Sequence, residues 1–325
     1  MTHPMVSVIV PAFNSEASLP AALLSIAQQS VKPLEVLVID DGSSDGTMAV
    51  AKSCAGEMQG IDVILLSQDR KGPGAARNLG LAKARGELVA FLDADDSWLP
   101  EKIERSLAQM QDRVLVAHDF IEVCGGRETL RDPSRHFLSA PDPYAALFLR
   151  CYIATSTVMA RREAVLAAGG FAEDLPAAQD YDLWLRLLGQ PGARFAILPE
   201  ALMRYAVSPS GITSKAEQRR VCSMEALRRN LHRHKAGALM TSLKRVLIIH
   251  YEALGAGLQR RRPLDALPGL ACLPLDLAEM LAKAIGAPLL IAHGLVVYAA
   301  YLAVNRDYYA EKIAVFSRFL LERVL

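Results

Sequence analysis

Residues 88–100, LVAFLDADDSWLP, join an apolar run suited to a buried strand to three carboxylates, Asp93, Asp95 and Asp96. Carboxylates this close repel one another, and each loses hydration wherever the strand end is covered. A hard divalent cation such as Mg2+ or Mn2+ would neutralise the cluster, because such ions prefer oxygen ligands and often bind through one or two carboxylates plus substrate phosphates. A solvated turn that caps the next helix is the competing explanation.

Other chemistry-bearing stretches also follow apolar runs. Pro11 to Asn14 follow the first run and Asp40-Asp41-Gly42-Ser43 the second. Asp41 could accept a hydrogen bond from a ring N–H, with Gly42 letting the backbone pass close to a ligand; Asp-Gly is equally a strong turn signal. GPGAARNLG (72–80) has part of a phosphate-cradling pattern, but Arg77 stands at the sixth position, where the pattern needs glycine, so a dinucleotide reading fails. In QDYDLW (179–184), Asp180 and Asp182 occupy a predicted first helical turn, where the helix dipole favours carboxylates.

The elements that must position these residues alternate. MVSVIVPAF (5–13), LEVLVID (34–40), IDVILLS (61–67) and ELVAFLD (87–93) read as strands. Between them, 15–30, 47–58 and 74–85 carry apolar residues at helical spacing. This rhythm predicts an α/β domain with a largely parallel sheet buried on both faces. In such sheets ligands bind at the carboxyl ends of the strands, where the acidic and small polar residues fall. In 177–189, Leu183, Trp184, Leu187 and Leu188 share a helical face that predicts core packing, while Trp98 fits either packing or stacking on a ligand.

The chain has 325 residues and a net charge of +1, which argues against a nucleic-acid binder. Charge is uneven: residues 1–214 carry −7, 215–262 carry +9 and 263–325 carry −1. Five scattered cysteines without CxxC spacing predict a reduced, cytoplasmic protein, and the N-terminus shows no secretory-signal pattern.

VSVIVPAFN (6–14), VLVIDDGSSDGT (36–47), GPGAARNLG (72–80), LDADD (92–96) and QDYDLWLR (179–186) occur in an order and at separations that resemble the family 2 glycosyltransferases, inverting enzymes of the GT-A fold. The resemblance covers about the first 210 residues and implies a Rossmann-like, mostly parallel central sheet flanked by helices. It places Pro11 and Phe13 against the nucleotide base, Asp41 on the uracil edge of UDP, and Arg77 near the nucleotide sugar. LDADD matches the family's DxD motif, in which Asp93 faces the ribose or sugar and Asp95 is the metal ligand, for Mg2+ or Mn2+. QDYDLW resembles the family's base motif and assigns the general base to Asp180, with Gln179 in place of the usual Glu and Asp182 as the fallback base. The positions that carry an Arg and a His in many relatives correspond here to Ala206 and Ser208.

The implied activity is transfer of a sugar from a nucleotide diphosphate donor, UDP, to an acceptor hydroxyl of a cell-envelope or lipid-linked glycan. Two alternatives stay open. One is a nucleotide-sugar-binding protein without transfer, which Gln179 keeps in view. The other is an aspartyl-phosphate hydrolase; its DxD normally follows the first strand and continues with Thr or Val, whereas here the motif follows the fourth predicted strand and continues with Ser97.

Residues 1–214 are expected to form the catalytic domain and 215–325 a helical region. The basic clusters of 215–262 suit an anionic membrane surface. Residues 284–304, AIGAPLLIAHGLVVYAAYLAV, have the length of a span but only moderate hydrophobicity. They fit a helix buried on the catalytic domain or in a homodimer, a monotopic insertion, or a span. The expected location is the cytoplasm, at the inner face of the membrane.

Overall fold

Val8 and Val10 of the first strand enter the core on one side of a sheet and Ile9 enters it on the other, so both faces are buried. This is the period-2 geometry of a strand covered by helices on both sides. The computed structural model describes residues 5–140, 142–207, 216–233, 238–259, 272–274 and 276–277.

The first half follows the expected alternation: β1 (Val6–Ala12), α1 (Leu19–Ala27), β2 (Glu35–Asp40), α2 (Thr47–Glu57), β3 (Asp62–Ser67), α3 (Pro73–Lys83) and β4 (Leu88–Phe91). Then come β5 (Ser97–Trp98), α4 (Lys102–Met110), β6 (Leu115–Cys124), β7 (Arg127–Arg131), α5 (Pro133–Leu138) and α6 (Pro143–Leu149). A short 3-10 turn at Thr155–Thr157 leads into β8 (Met159–Arg161), α7 (Arg162–Ala167), α8 (Gln179–Leu188) and β9 (Phe195–Ala206). Two longer helices follow, α9 (Ala216–Asn230) and α10 (Ala238–Gln259).

The sheet order is β3-β2-β1-β4-β8-β6-β9-β5, with β7 paired to β6. The β1–β2, β1–β4, β2–β3 and β6–β9 pairs are parallel, and β8 runs antiparallel between β4 and β6. Only β5, β7 and β8 oppose the common direction, so the described sheet is mostly parallel, as expected. β2 and β3 lie on one side of β1 and β4 on the other, which creates a crevice at the carboxyl ends of β1 and β4.

Pro11 belongs to this switch point. It pairs with Ile39 of β2 but lies beyond the last β1–β4 pair, Ile9 with Phe91. A proline there costs no ladder bond to β4, and the two strands part where a ligand needs room.

Helices α1, α2 and α4 cover one face of the sheet, while α3 and α8 cover the other. Gly80 lets α3 approach closely, since a Cβ there would stand 2.6 Å from Ile9 Cγ2 and 3.0 Å from Ile39 Cδ1. Leu183, Trp184, Leu187 and Leu188 are all buried, as their spacing predicts.

Helices α9 and α10 share the core of α6 and α8 through Met224, Leu227, Val246 and Ile249. Polar contacts reinforce this packing: Asn230 Nδ2 donates to Asp182 Oδ1 at 2.8 Å, and Arg245 donates to the Leu149 carbonyl at 3.0 Å. Arg229 pairs with Asp174, while Arg220, Arg228 and His250 converge on Asp276 at 3.0–3.2 Å. Among the described residues of the basic collar, Arg220, Arg228, Arg229 and Arg245 are thus paired within the molecule. Ser208, His234 and the charge-free run 284–304 lie outside the described residues. Among those described, no helix is long and apolar enough to cross a membrane.

Candidate active site

The first strand end is bound to the second. Asn14, with a left-handed φ of 49°, accepts from the Ser44 N–H at 2.9 Å, and its own N–H donates to Ser43 Oγ at 2.9 Å. Phe13 is half-buried, with the Arg70 guanidinium 4.1 Å above its ring. Pro11 is buried behind it in β1.

Asp41 is buried, and its carboxylate organises the loop leading into α3. It accepts from Gln68 Nε2 at 2.7 Å, the Lys71 N–H at 2.8 Å and the Gly72 N–H at 2.8 Å. Gly42 has φ +73°, and a Cβ there would come within 3.0 Å of the Arg70 backbone nitrogen. The glycine therefore lets two loops touch. Three donors occupy Asp41, which leaves one of its roughly four acceptor directions.

The strand end after β4 resolves its own repulsion unevenly. Asp93 is paired with Arg77, whose buried guanidinium lies 5.2 Å from the centre of the Phe171 ring. Arg77 Nε and one terminal nitrogen have no hydrogen-bond partner among the described residues. Asp96 is buried and accepts from Ser156 Oγ at 2.6 Å and from the Ala206 N–H at 3.0 Å. Burial, then Asp93 and Asp95, push the Asp96 carboxyl well above the usual range. Asp95 stands exposed at the rim and makes no ion pair among the described residues. Partial loss of water, then the neighbouring Asp93, raise its carboxyl to about 6.

This arrangement fits a divalent cation held mainly by a phosphorylated ligand. Among the described residues no group of three acidic, His or Cys side chains forms a cage. An exposed, unpaired carboxylate next to a second one that stays partly exposed is what an ion sharing its shell with a diphosphate requires. His232, the described one of two histidines in 231–234, is exposed in a 3-10 turn after α9.

Asp180 lies in the first turn of α8 and is half-buried. Its Oδ2 accepts from Thr155 Oγ1 at 3.1 Å, and its Oδ1 accepts from the Tyr181 N–H at 2.7 Å. The residue that opens this turn, Ala178, adopts a left-handed φ of 56°, unusual for an alanine and a local strain of about 1–2 kcal/mol. Asp182 points away into the core, where it accepts from Arg186 at 2.9 Å and from Asn230 at 2.8 Å. Its burial and its partners remove the fallback base. Gln179 is buried, and its Oε1 lacks a partner among the described residues.

Thr155, Ser156 and Asp96 were not assigned roles from the sequence. A polar triplet before a short apolar run is common, and nothing in its spacing tells that the turn returns to the DxD segment. Trp98 is resolved too: it is buried and donates from Nε1 to the Ser156 carbonyl at 2.8 Å.

The profile of glycosyl transferase family 2 matches residues 7–169, half of the chain, including the first three strand ends and the DxD segment. The amylovoran biosynthesis glycosyltransferase AmsB of Erwinia amylovora is 29% identical over 208 residues, 61% of this chain and 68% of AmsB. The Escherichia coli enzyme WfgD, a UDP-Glc:alpha-D-GlcNAc-diphosphoundecaprenol beta-1,3-glucosyltransferase, is 29% identical over 214 residues, 65% of this chain and 80% of its own. The mannosyltransferase PcManGT of Pyrobaculum calidifontis, solved with GDP-Man and Mn2+, superposes with a TM-score of 0.59 at 22% identity, over 94% of this chain and 87% of that one. Its likeness bears on the fold, which is GT-A. With the strand-end motifs in one crevice and the family profile spanning half the chain, this protein belongs to glycosyl transferase family 2 and is a glycosyltransferase.

Proposed function

We propose that this enzyme is an inverting, metal-dependent transferase that moves a sugar from a UDP-sugar to an acceptor hydroxyl of a cell-envelope or lipid-linked glycan. The observation that carries the reading is the convergence of a half-buried Asp180 and the Asp93–Asp96 segment on the adjacent residues Thr155 and Ser156. The names of AmsB and WfgD support an envelope-glycan acceptor, and the WfgD name supports UDP.

In this reading Pro11 and Phe13 line the base, and Asp41 offers its remaining acceptor direction to the uracil N–H. Asp95, with Asp93 beside it, would hold Mg2+ or Mn2+, which supplies Lewis-acid stabilisation of the departing diphosphate. Arg77 holds Asp93 in place and adds positive charge behind the donor. Asp180 takes the proton from the acceptor hydroxyl as it attacks the anomeric carbon in a single displacement. Residues 1–214 carry this chemistry, and α9 buttresses α8. The acceptor meets the enzyme at the cytoplasmic leaflet, where exposed Lys244 and its apolar neighbours Leu247 and Tyr251 give the helical region a surface for anionic lipid.

Calorimetric titration of UDP with and without Mn2+, beside an Asp95→Ala variant, tests the donor site. Metal-dependent binding that the variant loses is expected. If UDP, GDP and dTDP all fail to bind with Mn2+ present, the reading is wrong.

A further inference from the structure

Three consecutive buried hydroxyls, Thr155, Ser156 and Thr157, form one 3-10 turn, and each bonds to a different part of the molecule. Thr155 Oγ1 reaches Asp180 Oδ2 at 3.1 Å on α8. Ser156 Oγ donates to Asp96 Oδ2 at 2.6 Å while accepting from the Asp93 N–H at 3.0 Å. Thr157 Oγ1 closes the turn on the Ala154 carbonyl at 2.7 Å. The peptide backbone of the same turn is also anchored. The Ser156 carbonyl accepts from Trp98 Nε1, and the Val158 carbonyl accepts from the Phe91 N–H at 3.3 Å.

The two carboxylate groups come from elements about 85 residues apart in sequence, and among the described residues Asp180 is bonded to Thr155 and the Tyr181 N–H rather than to Asp93, Asp95 or Asp96. Thr155 fixes Oδ2 of Asp180 and the Tyr181 N–H holds Oδ1, and each oxygen keeps a further acceptor direction for substrate. Asp180 therefore takes its orientation from an element that is itself pinned to the DxD segment.

We infer that Thr155 and Ser156 are positioning residues: their turn sets the distance and angle between the general base and the donor end of the site. The inference rests on the proposed assignment of Asp180 as base. Thr155 acts on the base alone. Ser156 acts on the DxD segment, through the Asp96 side chain and the Asp93 backbone.

The test uses the full chain and measures nucleoside-diphosphate release from UDP-glucose with N-acetylglucosaminyl-diphosphoundecaprenol as acceptor, beside UDP titration in Mn2+. Thr155→Val keeps the shape and removes the donor, and is expected to lower kcat about ten- to a hundredfold, the range for one hydrogen bond to a charged group. Its donor KM and UDP affinity should stay within about twofold of wild type, by the same separation of base from donor site. Thr155→Ser should restore most of the rate, and Thr155→Ala should fail as Thr155→Val does. Ser156→Ala should instead weaken UDP binding in Mn2+.

Equal losses in Thr155→Val and Thr155→Ser would mean that packing matters and not the hydroxyl, and would overturn the inference. A full rate in Thr155→Val would do the same. Asp180→Asn in the same assay separates the two claims: if it keeps full turnover the base assignment fails, and the positioning role falls with it. If Asp180→Asn is inactive while Thr155→Val is unimpaired, only the positioning role is lost.

Discussion

Asp180 and Asp182 stand two residues apart on α8 and face opposite environments: Asp180 is half-buried on Thr155, and Asp182 is buried on Arg186 and Asn230. Residues at i and i+2 of a helix do not share a face, so one carboxylate of the pair meets the Thr155 turn and the other the core. Adjacent acids in one motif thus have different work.

This division predicts opposite phenotypes. Asp182→Ala leaves Arg186 without its carboxylate and should cost about 3 kcal/mol of stability, read as a fall in the urea midpoint. Asp180→Asn should leave that midpoint unchanged and reduce turnover by about a hundredfold or more. Matching stability losses in the two variants would contradict the geometry.

Asp95 and Asp96 should separate in the same way. Asp96 is buried on Ser156 and the Ala206 N–H, and burial beside two carboxylates favours its uncharged form, so Asp96→Asn is expected to fold at a cost of about 1 kcal/mol and still bind UDP in the presence of Mn2+. Asp95→Asn, at the exposed rim, should fold like wild type and lose the Mn2+ dependence of UDP binding. Calorimetry on the two variants decides it, and loss of metal dependence in Asp96→Asn alone would reverse the roles.

Lys102 is fully buried on α4 with no carboxylate partner among the described residues; its Nζ lies 4.1 Å above the Trp98 ring and 3.4 Å from the Val158 carbonyl. Burial pulls its amine down to about 7, and burial together with Lys102 pulls neighbouring His118 to about 3. Between pH 7 and about 10.5 the unfolded chain binds the extra proton, so the contribution of this group to stability rises with pH. The rise amounts to about 3–5 kcal/mol, after allowing for the attraction of Trp98 for the charged form. Lys102→Met should be more stable than wild type at pH 7, with the gap closing by pH 10. Unfolding curves in urea at four pH values would show this, and parallel stability profiles would refute it.

Gly80→Ala tests the approach of α3 to the sheet. The new methyl would overlap Ile9 and Ile39, both in the core, and should cost about 1–3 kcal/mol despite the better helix propensity of alanine. A thermal melt that shows stabilisation would mean that α3 shifts freely, and with it Arg77 and its partner Asp93.

The sequence by itself determined the αβ alternation of the first half, the three acidic or polar strand ends, and the packing face of α8. These are local properties: period 2 or 3.6, turn chemistry and the order of motifs. Strands β6 to β9 were not legible from pattern, because β7 and β8 are short and β6 pairs with strands distant in sequence across bulges near Asp119. The basic character of 215–262 was legible but its use was not, since Asp174 and Asp276, which pair with its arginines, lie elsewhere in the chain. Only the tertiary structure decided which carboxylate of each cluster is left open. Arg77, Ser156 and the Ala206 N–H satisfy Asp93 and Asp96, and Arg186 with Asn230 satisfies Asp182, so that Asp95 and Asp180 remain partly free at the crevice. A residue type states what chemistry is available; burial and long-range partners select which copy of it performs.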